Sequence, residues 1–311
     1  MRLVFAGTPE AAVPSLDALA ASEHDIVAVI TRPDAPSGRG RRLAPSPVRR
    51  RAEELGIPVW TPARLRDPDF LEQLAAARPE VCPVVAYGNL VPPAALEIPV
   101  HGWVNLHFSL LPAWRGAAPV QHAIIAGDEI TGASTFRLEA GLDTGPVYGA
   151  LTEAVRPRDT SGDVLDRLAV AGAGLLVATI DGIARGELVA VPQPADGVSL
   201  APKLEVADAE VEFRLPAMAI DRRIRGCTPA PGAWTTFRGE RLKLGPATGF
   251  GDAVRERLSP GELRVTKARV EVGTATDPLV LGQVQALGKK PMPAADWARG
   301  IRIEGGERLG S

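Results

Sequence analysis

The chain has 311 residues, 45% of them hydrophobic, which supports a core larger than one average domain needs. Its 23% charged residues and net charge of -2 are ordinary for a soluble globular protein. Two cysteines, Cys82 and Cys227, exclude a disulfide framework; the apolar run Leu3–Ala6 is too short for a signal-peptide core, and no apolar run approaches the length of a membrane span. A soluble cytoplasmic protein with reduced thiols and no membrane contact is expected.

In chain order, Leu3–Ala6 reads as a buried strand, followed by a helix with Leu16 and Leu19 on its apolar face. Ile26–Ile30 is a second strand. Ser46 can cap a helix that opens with Pro47 and runs toward Leu55-Gly56. Ile57–Trp60 is a third strand, and a helix carrying Phe70, Leu71 and Leu74 follows. Val84-Val85-Ala86 and Trp103–His107 are further strands, residues 119–126 a helix and Ala133–Leu138 another strand. Val164 to Ile183 is a long helical pattern ended by Gly186. Strands alternating with helices indicate an α/β domain with a parallel sheet and helices on both faces.

The segment 186–206 contains Pro192, Pro194, Gly197 and Pro202 without sustained periodicity and reads as a linker. A short helix over Ala217–Arg225 then precedes strands at Ala233–Phe237, Arg241–Leu244, Gly261–Val265, Arg269–Val272 and Leu279–Gln285. Their spacing fits a small β-barrel of the OB type. The boundaries drawn from this pattern are a catalytic domain over 1–186, a linker over 187–206 and a β-domain over 207–311. Residues 213–311 carry a net charge of +7 and residues 1–212 a net charge of -9. The basic half suits an anionic partner such as RNA, and a normal solvated surface explains it equally well.

Gly7-Thr8-Pro9-Glu10 follows the first strand, where backbone amides of an α/β sheet can approach a ligand. It lacks the further glycines of a dinucleotide fingerprint, and a tight strand-to-helix turn explains it as well. The long loop from Thr31 to Pro45 contains Gly38-Arg39-Gly40-Arg41-Arg42, and its arginines can pair with phosphates. The densest polar constellation is Asn105-Leu-His107-Phe-Ser109-Leu-Leu-Pro112. Asn105 and His107 lie two apart on a strand and so share a face, at the end where open α/β sheets bind ligands. An amide and an imidazole aimed at one point can stabilise the oxyanion of an acyl transfer. Asp143, in Gly141-Leu-Asp143-Thr-Gly145, can orient a neighbouring histidine, although an Asp between glycines is by itself a turn residue. His101 and His107 find no Cys or acid to complete a metal site, and Ser109 lacks the Gly-x-Ser-x-Gly elbow of a serine hydrolase.

These residues resemble the folate-dependent formyltransferase family. His107-Phe-Ser109-Leu-Leu-Pro112 with Gly116 is similar to its His-x-Ser-Leu-Leu-Pro-x-x-x-Gly signature, and Asn105, His107 and Asp143 match its catalytic Asn, His and Asp. Further matches are Phe5–Glu10, Gly38-Arg39-Gly40, Val85-Ala86-Tyr87-Gly88, Arg115–Pro119 and Gly288-Lys289-Lys290, so the resemblance spans residues 1 to about 293. It implies a Rossmann-like catalytic domain followed by an OB-like one. It also implies 10-formyltetrahydrofolate as formyl donor, no metal, and the amine of initiator methionyl-tRNA as acceptor, with the protein a monomer. By the same resemblance Ser109, Leu110, Leu111, Pro112, Val85, Ala86, Tyr87 and Gly88 would bind the folate, and Arg39, Arg41 and Arg42 the tRNA. A protonated His107 and Asn105 would stabilise the oxyanion, with Asp143 holding His107 charged. Cys227–Gly232 departs from the Asn-Pro-Trp-Pro run of many relatives. The alternatives are a formyltransferase acting on a glycinamide ribonucleotide or an amino-sugar nucleotide, or a non-catalytic RNA-binding protein.

Overall fold

The computed structural model describes residues 1–37, 42–251 and 258–310. They fall into two compact units: residues 1–119, 130–154 and 165–202 form the first, and residues 120–129, 155–164 and 203–311 the second. The elements begin β1 (Arg2–Gly7), α1 (Val13–Ala20), β2 (Asp25–Ile30), β3 (Ala35–Ser37), β4 (Arg42–Ala44), α2 (Pro47–Glu54) and β5 (Val59–Trp60). Then come α3 (Pro68–Ala77), β6 (Cys82–Val85), α4 (Pro93–Leu96), β7 (Trp103–His107), α5 (Pro119–Ala126), β8 (Ile130–Arg137), β9 (Val147–Ala154) and α6 (Ser161–Ala184).

The first unit is built on a seven-stranded sheet of order β5-β2-β1-β6-β7-β8-β9. Strands β5, β2, β1, β6 and β7 are mutually parallel, as the alternating pattern predicts. The sheet is mixed, because β8 and β9 pair antiparallel at its far edge. Strand β9 escapes sequence reading: it alternates half-buried and exposed positions and contains Gly149, so no apolar run marks it. Leu3–Ala6 of strand β1 are fully buried on both faces, as a central parallel strand must be. Val4 and Ala6 pack with Phe70 and Leu74 of α3 and Ala95 of α4, while Trp103 Nε1 donates to the Ala95 carbonyl at 2.7 Å.

Helix α2 begins as expected. Pro47 opens it, and the Ser46 hydroxyl accepts from the Arg49 amide at 3.0 Å. The long loop before it contains a small hairpin in which β3 pairs with β4, Ser37 opposite Arg42. Arg39 and Arg41 lie outside the described residues. Helix α6 is, by length and mean hydropathy of 1.5, apolar enough to cross a membrane, although Asp166, Arg167 and Asp181 interrupt its apolar run. Its apolarity serves the sheet instead. A Cβ on Gly172 would sit 2.9 Å from Leu106 of β7, and the hydroxyls of Thr179 and Thr135 of β8 bond at 2.8 Å. Residues 187–202, expected as part of a linker, also pack in the first unit, where Val191 pairs with Val147 and Leu200 with Arg115.

The second unit contains α7 (Ala217–Gly226), then β10 (Trp234–Phe237), β11 (Glu240–Leu244), β12 (Gly249–Phe250), β13 (Leu263–Val265), β14 (Val270–Val272), β15 (Leu279–Val280), β16 (Gln283–Ala286) and β17 (Met292–Pro293), and closes with α8 (Ala294–Ile301). Its strands form two four-stranded antiparallel sheets, β10-β11-β16-β17 and β12-β15-β14-β13, around one core. The expected strand over 279–285 is two. It changes sheet at Gly282, where a Cβ would lie only 2.2 Å from the Pro246 carbonyl oxygen. Helix α8 seals the core by packing Trp297 edge-on against Phe237 at 5.1 Å. Cys82 and Cys227 are free and buried, and burial pushes both thiols above their ordinary pKa.

Candidate active site

The carboxyl ends of β1, β6 and β7 lie side by side, and the chain reverses direction of travel between β1 and β6, the position at which open α/β sheets bind ligands. Thr8, just past β1, ties these ends together: its hydroxyl donates to the Tyr87 carbonyl at 2.9 Å. Gly7 is explained by packing, since a Cβ there would meet Phe5 at 2.8 Å and Ala12 at 3.0 Å.

His107 ends β7 on the same face as Trp103 and Asn105. It is 6% exposed, and its Nε2 lies 2.9 Å from the Trp114 carbonyl. A carbonyl only accepts, so Nε2 carries the proton and Nδ1 is left to face Asp143 Oδ2 at 3.8 Å. Burial lowers the His107 pKa below its ordinary 6.5, and the opposing pull of the Asp143 charge and the Trp114 carbonyl does not restore it. Burial therefore favours the neutral imidazole in the free protein. Asn105 is half-buried, and its amide has no hydrogen-bond partner among the described residues.

Asp143 adopts a left-handed conformation, φ 50°, which Asp tolerates better than most residues. Its Oδ2 accepts from the Gly116 amide at 2.8 Å. Gly116 needs to be glycine: its φ is +130°, and a Cβ would lie 2.5 Å from the Ala201 carbonyl oxygen. The structure thus brings His107 and Asp143 together through a turn that the sequence places far from Asp143.

The remaining predicted positions divide. Ser109 is fully buried and spends its hydroxyl on the Ala113 carbonyl at 2.6 Å. Ser134 of β8 closes the same turn by donating to the Ser109 carbonyl and accepting from the Leu111 amide. Leu110 fills the space left by the missing side chain of Gly132, while Leu111 and Pro112 are half-buried. Val85 and Tyr87 point into the core, with Tyr87 only 2% exposed, whereas Ala86 and Gly88 are exposed with φ of 46° and 85°. Sequence reasoning missed Ser134, Gln193 and Ser199. The Ser199 hydroxyl accepts from the Trp114 amide at 2.9 Å. A cavity of about 680 Å³ in the second unit contains none of the predicted site residues.

The formyl transferase domain family matches residues 1–180, and the formyl transferase C-terminal domain matches residues 203–302. The chain belongs to the formyl transferase family. It is 67% identical to the methionyl-tRNA formyltransferase of Streptomyces coelicolor over 311 residues, all of both chains. It is 66% identical to that of Thermobifida fusca, covering 100% of this chain and 99% of the relative. Among solved structures the fold is shared with an N-formyltransferase from Helicobacter canadensis in complex with folinic acid and dTDP-3-aminofucose, at TM-score 0.69 and 17% identity over 91% of this chain and 99% of that one. It is also shared with HypX from Aquifex aeolicus, at TM-score 0.68 and 16% identity, over 99% of this chain and 48% of that one. The α/β formyl transferase domain and its antiparallel β partner are thus both present in this family member.

Proposed function

We propose that this formyl transferase moves the formyl group of 10-formyltetrahydrofolate to the amine of initiator methionyl-tRNA, in the cytoplasm, with Asn105, His107 and Asp143 as its catalytic residues. The single observation that supports this best is identity of 64–67% over essentially the whole chain to relatives named methionyl-tRNA formyltransferase. The site geometry fits the chemistry. An imidazole nitrogen lies beside a carboxylate at a strand end, and Asn105 shares that strand face with His107.

As the methionyl amine attacks the formyl carbon, Asn105 donates to the developing oxyanion. His107 Nδ1 accepts the proton that the amine releases. The imidazolium so formed lies beside Asp143, which stabilises it, and its charge in turn stabilises the oxyanion. Collapse of the tetrahedral intermediate breaks the bond between the formyl carbon and folate N10, and the imidazolium passes its proton to that leaving nitrogen, which restores the neutral ring. The proton thus arrives at His107 during the reaction instead of resting there. The buried Ser109 and Tyr87 side chains favour a folate site built from the Leu110–Pro112 turn and the exposed residues Ala86 and Gly88. Arg39, Arg41 and Arg42, with the basic residues 213–311, are assigned to the tRNA. The protein acts as a monomer.

The test is transfer of labelled formyl from 10-formyltetrahydrofolate to methionyl-tRNA, glycinamide ribonucleotide and a dTDP-amino sugar. Label on methionyl-tRNA alone is expected, and transfer to a small amine with none to the tRNA would overturn the acceptor assignment.

A further inference from the structure

Gln193 lies in the irregular segment after α6. Its side chain is half-buried and makes four hydrogen bonds, all inside the first unit. Nε2 donates to the carbonyls of Asp143 and Gly145, each at 2.8 Å. Oε1 accepts from Nε and Nη2 of Arg115 at 3.1 and 2.6 Å. One neutral amide therefore joins the loop bearing Asp143 to the turn whose Trp114 carbonyl and Gly116 amide engage His107 and Asp143.

The Asp143 loop has reason to need such a tie. The left-handed backbone at Asp143 is sparsely populated and persists only where its surroundings over-determine it. Its neighbours Leu142 and Thr144 are exposed and offer little packing. The chemistry of the tie is specific: two carbonyls require two N–H donors, and a guanidinium requires an acceptor. A primary amide of this length supplies both.

We propose that Gln193 is a positioning residue for formyl transfer, fixing Asp143 at its working distance from His107 Nδ1. This rests on the assignment of His107 and Asp143 to the chemistry. Two substitutions separate the roles of its ends. Gln193→Leu removes every bond, whereas Gln193→Glu keeps the acceptor for Arg115 and loses the donors to the loop.

Both variants are expected to lower kcat by about 10²-fold, the cost of a misplacement near 1 Å, with KM for both substrates close to wild type. Because the Asp143 charge is the larger of the two influences that oppose burial at His107, the NMR-observed titration of His107 should move to lower pH in Gln193→Leu, as in Asp143→Asn. In an Asp143→Asn background, Gln193→Leu should add no further loss of kcat. Unchanged kcat, an unmoved His107 titration in Gln193→Leu, or losses that multiply with Asp143→Asn would each overturn the proposal. Should the wild-type protein fail to formylate methionyl-tRNA, the acceptor assignment falls, while the His107 titration still decides the role of Gln193.

Discussion

Replacing Asp143 by Asn removes one charge and little else. The Asn side-chain oxygen can still accept from the Gly116 amide that Asp143 holds at 2.8 Å, so the loop should keep its place. What disappears is the attraction between the carboxylate and an imidazolium at 3.8 Å. With an effective dielectric of about 20, that attraction amounts to about 4 kcal/mol. His107 is neutral at rest, so the attraction exists only once the amine's proton has reached the ring. It therefore belongs to the transition state and its loss falls on kcat. A drop of about 10³-fold in single-turnover formyl transfer at saturating substrates is expected, with substrate binding and thermal melting near wild type. A drop of less than about tenfold in a folded Asp143→Asn protein would refute the reasoning, because it would mean that no positive charge develops at His107.

Asn105→Ala should lower kcat by about 10²–10³-fold without changing the melting temperature, as for loss of one oxyanion donor; a smaller loss would remove Asn105 from the oxyanion site. Ser134→Ala leaves the Ser109 carbonyl and the Leu111 amide without their partner, so stability should fall by about 1–3 kcal/mol in urea melts. The same variant should raise KM for the folate more than it lowers kcat, and an unchanged folate KM would separate the turn from that site. Stability should also depend on pH. The pKa of buried His107 and of His24 lies below the ordinary 6.5 in the folded state, so as pH falls below 6.5 the unfolded state binds protons first and folding is disfavoured. The urea midpoint should therefore be lower at pH 5.5 than at 7.5, and the difference should shrink in His107→Gln; an equal difference in both proteins would contradict the depressed pKa. Neutralising Arg39 and Arg42 together should raise KM for methionyl-tRNA and flatten its salt dependence while folate binding is unchanged, and unaltered tRNA kinetics would take the loop out of the interface.

Much of the first unit was legible because its signals are local. Strand β7 falls on Trp103–His107 as predicted, since apolar residues alternate with Asn105 and His107 and the Leu-Leu-Pro turn follows directly. The Ser46-Pro47 start of α2 was equally readable, because a cap needs only neighbouring residues. The site was legible as residue types but not as geometry. Nothing local states that Asp143 takes a left-handed conformation, or that its carboxylate is met by the Gly116 amide. The segment 187–202 reads as a linker because it lacks periodicity, yet it supports the site through single polar residues, Gln193 and Ser199, that carry no pattern. The resting protonation of His107 was not legible for a related reason. Its charge depends on burial among elements distant in sequence, and burial outweighs the carboxylate that sequence alone brings into view.

The central claim is that proton transfer at His107 drives formyl transfer. It is tested most directly by single-turnover transfer of labelled formyl to methionyl-tRNA in His107→Ala, with both substrates shown to bind and the fold shown to be intact. Loss of at least about 10²-fold in the chemical step is expected for removal of a general base. Turnover near that of the wild-type protein would contradict the assignment.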